Sequence, residues 1–361
     1  MRSEPDITFP AIKGRQAARE YYVAMCPLKI IPRLFKFDEE DSSLSPEVRA
    51  QRILNKGRIP ELARYLVNNK EDYVFSAITA SIDGKVRFEP IESKSKHGDL
   101  IISMHASFII NDGQHRRAAI EEAIKQEPTL GQETIAVVFF IDRGLERSQQ
   151  MFADLNRHAV KPSRSLGLLY DHRDDMAKIS RLVAIKADAF KGLVEMEKSS
   201  LSERSGKLFT LSAIHTGCQA LLEPLKIEDY EKAYVICEEY WNEVASQFDD
   251  WKQVQNSKIL SSDIRQEKMH THAISLQSFG IIGSQLLKNN KQGWKKIISK
   301  LKEIDWRRSN AEAWEGRTLI GGRIAKTTTS IILTVNYIKQ FLGMELTEEE
   351  QHTEKEYLKG K

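Results

Sequence analysis

Cysteine is scarce in this sequence, and what there is cannot build a framework. Three cysteines stand among 361 residues. Cys26, Cys218 and Cys237 lie too far apart for zinc-ligand or paired-bridge spacing, so they are expected to be structural thiols. Cys26 alone stands out as a candidate regulatory thiol, because it lies beside Pro27 in an otherwise strand-like run. Long apolar runs are missing too: no window approaches the roughly 18 residues of a spanning helix. The opening MRSEPDITFP carries acidic residues and no apolar stretch, so neither a signal peptide nor a membrane partner is expected, and the expected compartment is the cytoplasm. An excess of one charge is also lacking, with 54 Lys and Arg against 51 Asp and Glu. Global charge therefore cannot hold the protein on nucleic acid, and any such binding needs a local basic face. No Ser-His-Asp order, paired-carboxylate motif or zinc cluster stands out, which leaves hydrolytic and metalloenzyme chemistry without a warrant.

What is present describes a folded protein, with 41% hydrophobic and 29% charged residues and no repeat period. The length predicts two domains. Tyr21 to Phe35 is aromatic and β-branched but broken by Pro27 and Pro32, which predicts an edge or bulged strand. Ser45 to Asn68 reads as helix, with Ser45 as N-cap and a break between Gly57 and Pro60. Tyr73 to Ile82 and Asp99 to Ile110 are apolar, β-prone runs separated by the Lys-rich stretch Ser93 to Gly98. Thr134 to Ile141, TIAVVFFI, predicts a strand buried on both faces, followed by a helix with Leu145, Ser148, Phe152 and Leu155 along one side. Residues 1 to 165 are thus expected to form an α/β domain. From Ser165 strand signals almost vanish, and amphipathic stretches predict a helical domain over 166 to 361, with a charged tail from Thr347 that frays.

The chemistry concentrates in Asn111-Asp112-Gly113-Gln114-His115-Arg116-Arg117. An apolar strand ends at Ile110, and Ala119, Ile120, Ala123 and Ile124 then recur at helical spacing, so the motif is a strand, a tight turn and the first turn of a helix. Unpaired backbone N–H groups and the positive end of the helix dipole emerge together at such a terminus and attract anions. Gly113 permits a left-handed turn, and arginine forks at 116 and 117 match phosphate oxygens. Neighbours one apart on a helix diverge by about 100°, so one arginine, Arg116 by its place nearer the turn, is expected to meet phosphate while Arg117 braces an acid. The plain alternative is that Asp112 caps the helix and both arginines lie on a solvated face.

In this strand and helix context DGQHRRAA resembles the DGQHR domain, and over most of the chain the sequence is similar to the DndB family of regulators of bacterial DNA phosphorothioation. The similarity extends to Met151-Phe152-Ala153-Asp154-Leu155-Asn156-Arg157-His158-Ala159-Val160-Lys161-Pro162 and, more weakly, to His272-Ala273-Ile274-Ser275-Leu276-Gln277. The resemblance implies an α+β protein: an amino-terminal domain like those of ParB and sulfiredoxin, whose glycine-basic turn holds nucleotide phosphates, followed by a mainly helical carboxy-terminal domain. It also implies a repressor whose partner is double-stranded DNA at its own operon promoter, with the phosphorothioation machinery as a further partner. No cofactor is required by that reading. DGQHR relatives that couple recognition of modified DNA to nucleotide hydrolysis keep a second class open, a nucleoside triphosphatase using the same turn. A homodimer would suit a palindromic operator.

Asn156, Arg157, His158, Lys161 and Arg164 are expected to converge with Asp112, Gly113, Gln114, His115, Arg116 and Arg117 on one basic cleft. Their alternative is a solvated loop in which Arg157 and His158 complement a helix C-terminus. His270 and His272 would suit a metal on a strand but diverge on a helix, so core or capping roles are expected. Gly321-Gly322-Arg323-Ile324-Ala325-Lys326-Thr327 lacks the glycine a P-loop places before its lysine and reads as a turn before a helix from Ile324. Arg307, Arg308, Arg317 and Arg323 could line a second basic patch, with Trp306 and Trp314 among them as core residues.

Overall fold

The computed structural model describes residues 6–35, 56–141, 145–157, 162–289 and 292–359. The chain divides into two compact units, Met1–Val160 and Lys161–Lys361. It is a mixed α+β protein in which a seven-stranded sheet belongs to the first unit and the second is mainly helical.

The first unit runs β1 (Asp6–Gln16), β2 (Arg19–Pro27), a 3-10 turn and α1 (Ile31–Leu34), then α2 (Ile59–Asn68), β3 (Ile78–Asp83), β4 (Val86–Pro90), β5 (His97–Ser103), β6 (Ser107–Asp112), α3 (Gln114–Gln126), β7 (Thr134–Ile141) and α4 (Leu145–Arg157). The sheet order is β4-β5-β1-β2-β7-β3-β6, with β3 and β7 parallel and every other pair antiparallel. Strand alternation puts Phe9, Ala24, Cys26, Ile78, Ala80, Leu100, Ile102, Val137 and Phe139 into one core with Ile31, Phe35, Ala63, Leu66 and Ile120 from α1 to α3 and the segments beside them. Each buried side chain of this size contributes roughly 1.5–3 kcal/mol relative to an exposed one.

Three expectations change here. β2 is a central strand between β1 and β7, because Pro27 falls at its last residue, opposite Thr134, where a missing N–H interrupts nothing. The run from Asp99 to Ile110 is two strands, β5 and β6, with a turn at Met104 and His105, and β4 is an additional edge strand. In β7 one face is buried (Ile135, Val137, Phe139), whereas Ala136, Val138 and Phe140 on the other stay partly exposed. Residues 45–55 of the expected split helix lie outside the described residues.

The second unit holds α5 (Arg164–Tyr170), α6 (Asp175–Lys186), the parallel pair β8 (Val194–Glu195) and β9 (Phe209–Thr210), α7 (Leu211–Leu222), α8 (Tyr230–Ala245), α9 (Asp249–Gln255), α10 (Ser261–Glu267), α11 (Ala273–Asn289), α12 (Trp294–Ile298), α13 (Ala311–Trp314), a hairpin of β10 (Leu319–Ile320) and β11 (Arg323–Ile324), α14 (Thr328–Leu342) and α15 (Glu348–Lys359). α7 and α11 cross where a Cβ on Gly280 would lie 2.2 Å from the Gly217 carbonyl oxygen, so only glycine allows this approach. Around the crossing, Phe190, Phe209, Trp241, Trp251, Phe248 and Phe279 build an aromatic core, and Trp306 stacks on Trp314 at 5.2 Å.

The expected frayed tail is instead a helix, α15. Arg317 Nη1 donates to Glu354 Oε2 at 2.8 Å and Lys339 pairs with Glu350, all four side chains being buried. Asn336 also donates to Glu354 Oε2 at 3.1 Å, and the Arg317 guanidinium lies 4.4 Å from the Tyr357 ring centre. Gly321 and Gly322 turn the β10–β11 hairpin in the left-handed region (φ +58° and +71°), so the helix expected from Ile324 starts only after Thr327, its N-cap.

Candidate functional site

β6 delivers Asp112 to a turn closed by Gly113, which occupies the left-handed region at φ +112° and forms the N-cap of α3. Gly113 has no side chain with which to cap the helix, and the first turn of α3 begins at the positive end of its dipole. The first intrahelical bond runs from Arg117 N to the Gly113 carbonyl, 2.9 Å.

Arg116 folds back over the turn. Its Nη2 donates to Asp112 Oδ2 at 2.7 Å and to the Ala77 carbonyl at 3.1 Å, while Nε is buried without a hydrogen-bond partner. A Cβ at position 113 would come within 3.0 Å of Ile78 Cγ1 and 3.3 Å of Arg116 Nη2, so glycine is needed here for space as well as for φ. Gln114 Nε2 donates to the Ile110 carbonyl at 3.0 Å, which ties the first turn back to β6.

Arg117 points the other way, into the protein. Buried at 8% exposure, it donates from Nε to the Phe35 carbonyl and from Nη2 to the Pro32 carbonyl, both 2.9 Å, and pairs with Glu121. It therefore ties α3 to the α1 region. Both arginines brace acids, Asp112 by Arg116 and Glu121 by Arg117, and Arg116 alone stays beside the turn.

His115 is half-buried, and its imidazole is held below the ordinary histidine range, chiefly by burial and then by the positive fields of Arg58 and Arg116. At neutral pH it is therefore an uncharged ring that can donate one hydrogen bond. Arg58 is a member that sequence reasoning missed. It is the N-cap residue of α2, exposed, and no carboxylate pairs with it among the described residues. The signal was there to read: Lys56-Gly57-Arg58-Ile59-Pro60 is a second glycine-basic turn entering a helix.

The remaining candidates divide. Asn156 and Arg157 end α4, but their side chains, like all of His158 and Lys161, lie outside the described residues. Arg164 opens α5 in the second unit, where it is exposed. Cys26 lies on the core face of β2, fully buried, and burial pushes its thiol up to about 12, so it stays protonated and unreactive at neutral pH. Of the second basic patch, Arg317 is buried against Glu354, Arg307 pairs with Asp305, and Arg308 donates to the Gly322 carbonyl at 2.6 Å. His270 is a core residue whose Nδ1 accepts from Trp251 Nε1 at 3.0 Å, which leaves Nε2 facing Asp250 at 3.3 Å. No group of three or more side chains suited to a metal ion occurs among the described residues.

The turn is a strand-fed, glycine-opened helix start with His115 held below the ordinary histidine range and Arg58 and Arg116 beside it. A family model described as DndB, DNA-sulfur modification-associated, matches residues 9–345. The chain belongs to the DndB family. Involvement in DNA sulfur modification follows from that membership, and the matched residues include the DGQHR turn, α4 and almost all of the second unit. Comparison with curated proteins and with solved structures found no match. Among the described residues, no helix is long and apolar enough to cross a membrane.

Proposed function

We propose that this member of the DndB family is a DNA-binding repressor of a phosphorothioation gene cluster, and that the DGQHR turn grips a backbone phosphate of the operator. The observation that carries the reading is the glycine-opened start of α3 at Gly113, with the positive fields of Arg58 and Arg116 acting on His115 beside it. Arg116 and Asp112 nearly cancel each other's charge, so the amides, the helix dipole and Arg58 supply most of the attraction. Contacts of this kind position a protein on DNA without reading sequence, so base readout must come from elsewhere in the protein. A homodimer on a two-fold operator is the arrangement that supplies enough phosphate contacts. Asp112, the candidate carboxylate for a magnesium ion, is engaged by Arg116, which weighs against the nucleoside triphosphatase reading.

The test is titration of the protein with a fragment of its own promoter over a range of salt concentrations, phosphorothioated and unmodified, for the parent chain, Arg58→Ala and Arg116→Ala. Log affinity should fall steeply with log salt, and Arg58→Ala should flatten the slope by about one phosphate's worth. A flat plot, or an Arg58→Ala variant that binds like the parent, overturns the proposal.

A further inference from the structure

The β10–β11 hairpin presents two side chains that its own fold does not use. Its inner pair, Leu319 opposite Ile324, packs on the helical core, whereas its outer pair, Ile320 opposite Arg323, is exposed to solvent, Ile320 by 59%. Three hydrogen bonds hold the turn between them. The Gly321 and Gly322 amides donate to Glu315, at 2.7 Å to Oε1 and 3.3 Å to Oε2, and Arg308 Nη2 donates to the Gly322 carbonyl at 2.6 Å. An exposed loop tip fixed so firmly on its scaffold is the usual place for a contact with another molecule. We propose that this tip enters the minor groove of double-stranded DNA, with Arg323 in the groove and Ile320 against its wall, while Arg164 and Lys326 hold nearby phosphates. The inference rests on the DNA-binding reading above and supplies the base-dependent contact that a phosphate grip at α3 lacks.

Charge is the first argument for that partner. Arg164, Arg308, Arg323 and Lys326 form no ion pair with a carboxylate among the described residues, and the one acid that the turn does hold, Glu315, is engaged by the two glycine amides. Burial and then the charge of Arg164 hold the Lys326 ammonium below its ordinary range, so two cations from distant parts of the sequence stand close enough to repel each other. Like charges gathered without counter-charges are stabilised by a polyanion. α14 starts at Thr328, directly after Lys326 and the N-cap Thr327, so the positive end of a fifteen-residue helix follows them in the chain.

Shape is the second argument. Each strand of the hairpin has only two residues, too little ribbon to fill a major groove roughly 12 Å wide. An arginine beside an exposed apolar side chain is instead the combination that minor-groove proteins insert into a groove of roughly 6 Å, the arginine along the floor and the apolar group as a wedge. A·T-rich DNA narrows that groove and strengthens its negative potential, so an arginine there favours such sequences through their shape.

The experiment titrates the full chain with two duplexes of equal length, one A·T-rich at its centre and one G·C-rich, with and without distamycin as a minor-groove competitor. The A·T-rich duplex should bind about tenfold more tightly, and distamycin should remove that advantage. Arg323→Ala and Ile320→Ser, both at exposed positions, should each cut the preference to about threefold or less while melting like the parent. Lys326→Ala should instead weaken both duplexes alike and flatten the salt dependence by about one phosphate's worth. A parent that binds both duplexes with steep salt dependence but without preference overturns the hairpin inference and leaves the phosphate reading standing, as do hairpin variants that keep the parent's preference. If Ile320→Ser lowers self-association in sedimentation and leaves DNA affinity unchanged, the tip belongs to a contact with a second copy of the chain, which also overturns the inference. Binding to neither duplex overturns both readings.

Discussion

Buried charge is handled differently in the two units. In the second, Arg317, Lys339, Glu350 and Glu354 are all buried and pair with one another, joining the segment before β10, α14 and α15. In the first, the buried Arg117 divides its donors between two backbone carbonyls and Glu121, while Arg58 at the start of α2 is exposed with no carboxylate paired to it among the described residues. Charge that is internally matched specifies which helix packs where, and polar groups left unmatched at a helix start are the mark of a binding surface. The difference separates residues whose loss should unfold the protein from residues whose loss should only empty a site.

The sharpest break of that comparison is Arg317→Met, which strands Glu354 in a buried position. A loss of about 3–5 kcal/mol in denaturant unfolding is expected, and the double variant Arg317→Met with Glu354→Leu should recover most of it. If the single and double variants melt alike, the pair does not set the packing of α15. Arg117→Ala should come next, with about 3–4 kcal/mol lost as its charge-assisted bonds to Phe35, Pro32 and Glu121 disappear, whereas Arg116→Ala should melt within about 1 kcal/mol of the parent and lose about tenfold in DNA affinity. Thermal melting beside DNA titration separates the two positions, and the reverse ranking would exchange their roles.

Proton uptake should also distinguish the units. In the second unit burial depresses His215, His270 and His272, the last to about 4 from 6.5, although Asp250 pulls His270 the other way. A depressed histidine binds fewer protons folded than unfolded, so its stabilising effect is complete above about pH 6.5 and is lost as pH falls toward 4. His272 alone should account for about 2–3 kcal/mol over that window. Unfolding followed by tryptophan fluorescence, since all five tryptophans lie in the second unit, should show that loss, and His272→Gln should flatten it. A parent protein whose stability does not change between pH 6.5 and 4 would contradict it. The smallest effect is expected at Cys26: Cys26→Ala should cost about 1–2 kcal/mol and leave DNA affinity unchanged, and the native thiol should resist labelling.

What could be read from the sequence was what is local. The strand, glycine and helix around Asp112 follow from an apolar run, one permissive residue and helical spacing, all within about fifteen positions, and the helical second unit follows in the same way from amphipathic stretches. What was hidden depends on partners far along the chain. Arg58 comes near His115 only because α2 packs on α3, and the tail looked like a frayed charge run because the groups that match Glu350 and Glu354 are Lys339 and Arg317. β4 was missed because Arg87 and Glu89 make an edge strand polar, and the open half of β7 was missed because TIAVVFFI looks the same whether one face or both are covered.

The docking of α15 also sets an order of events. While the chain is being synthesised, Arg317 and Lys339 emerge before Glu350 and Glu354, and until those acids arrive two cations have no reason to leave water. The core around α14 is thus expected to close late, after the seven-stranded sheet has had all its strands available for some time. A nascent chain halted between Leu342 and Glu348 would present a folded first unit joined to a second unit still waiting for its counter-charges.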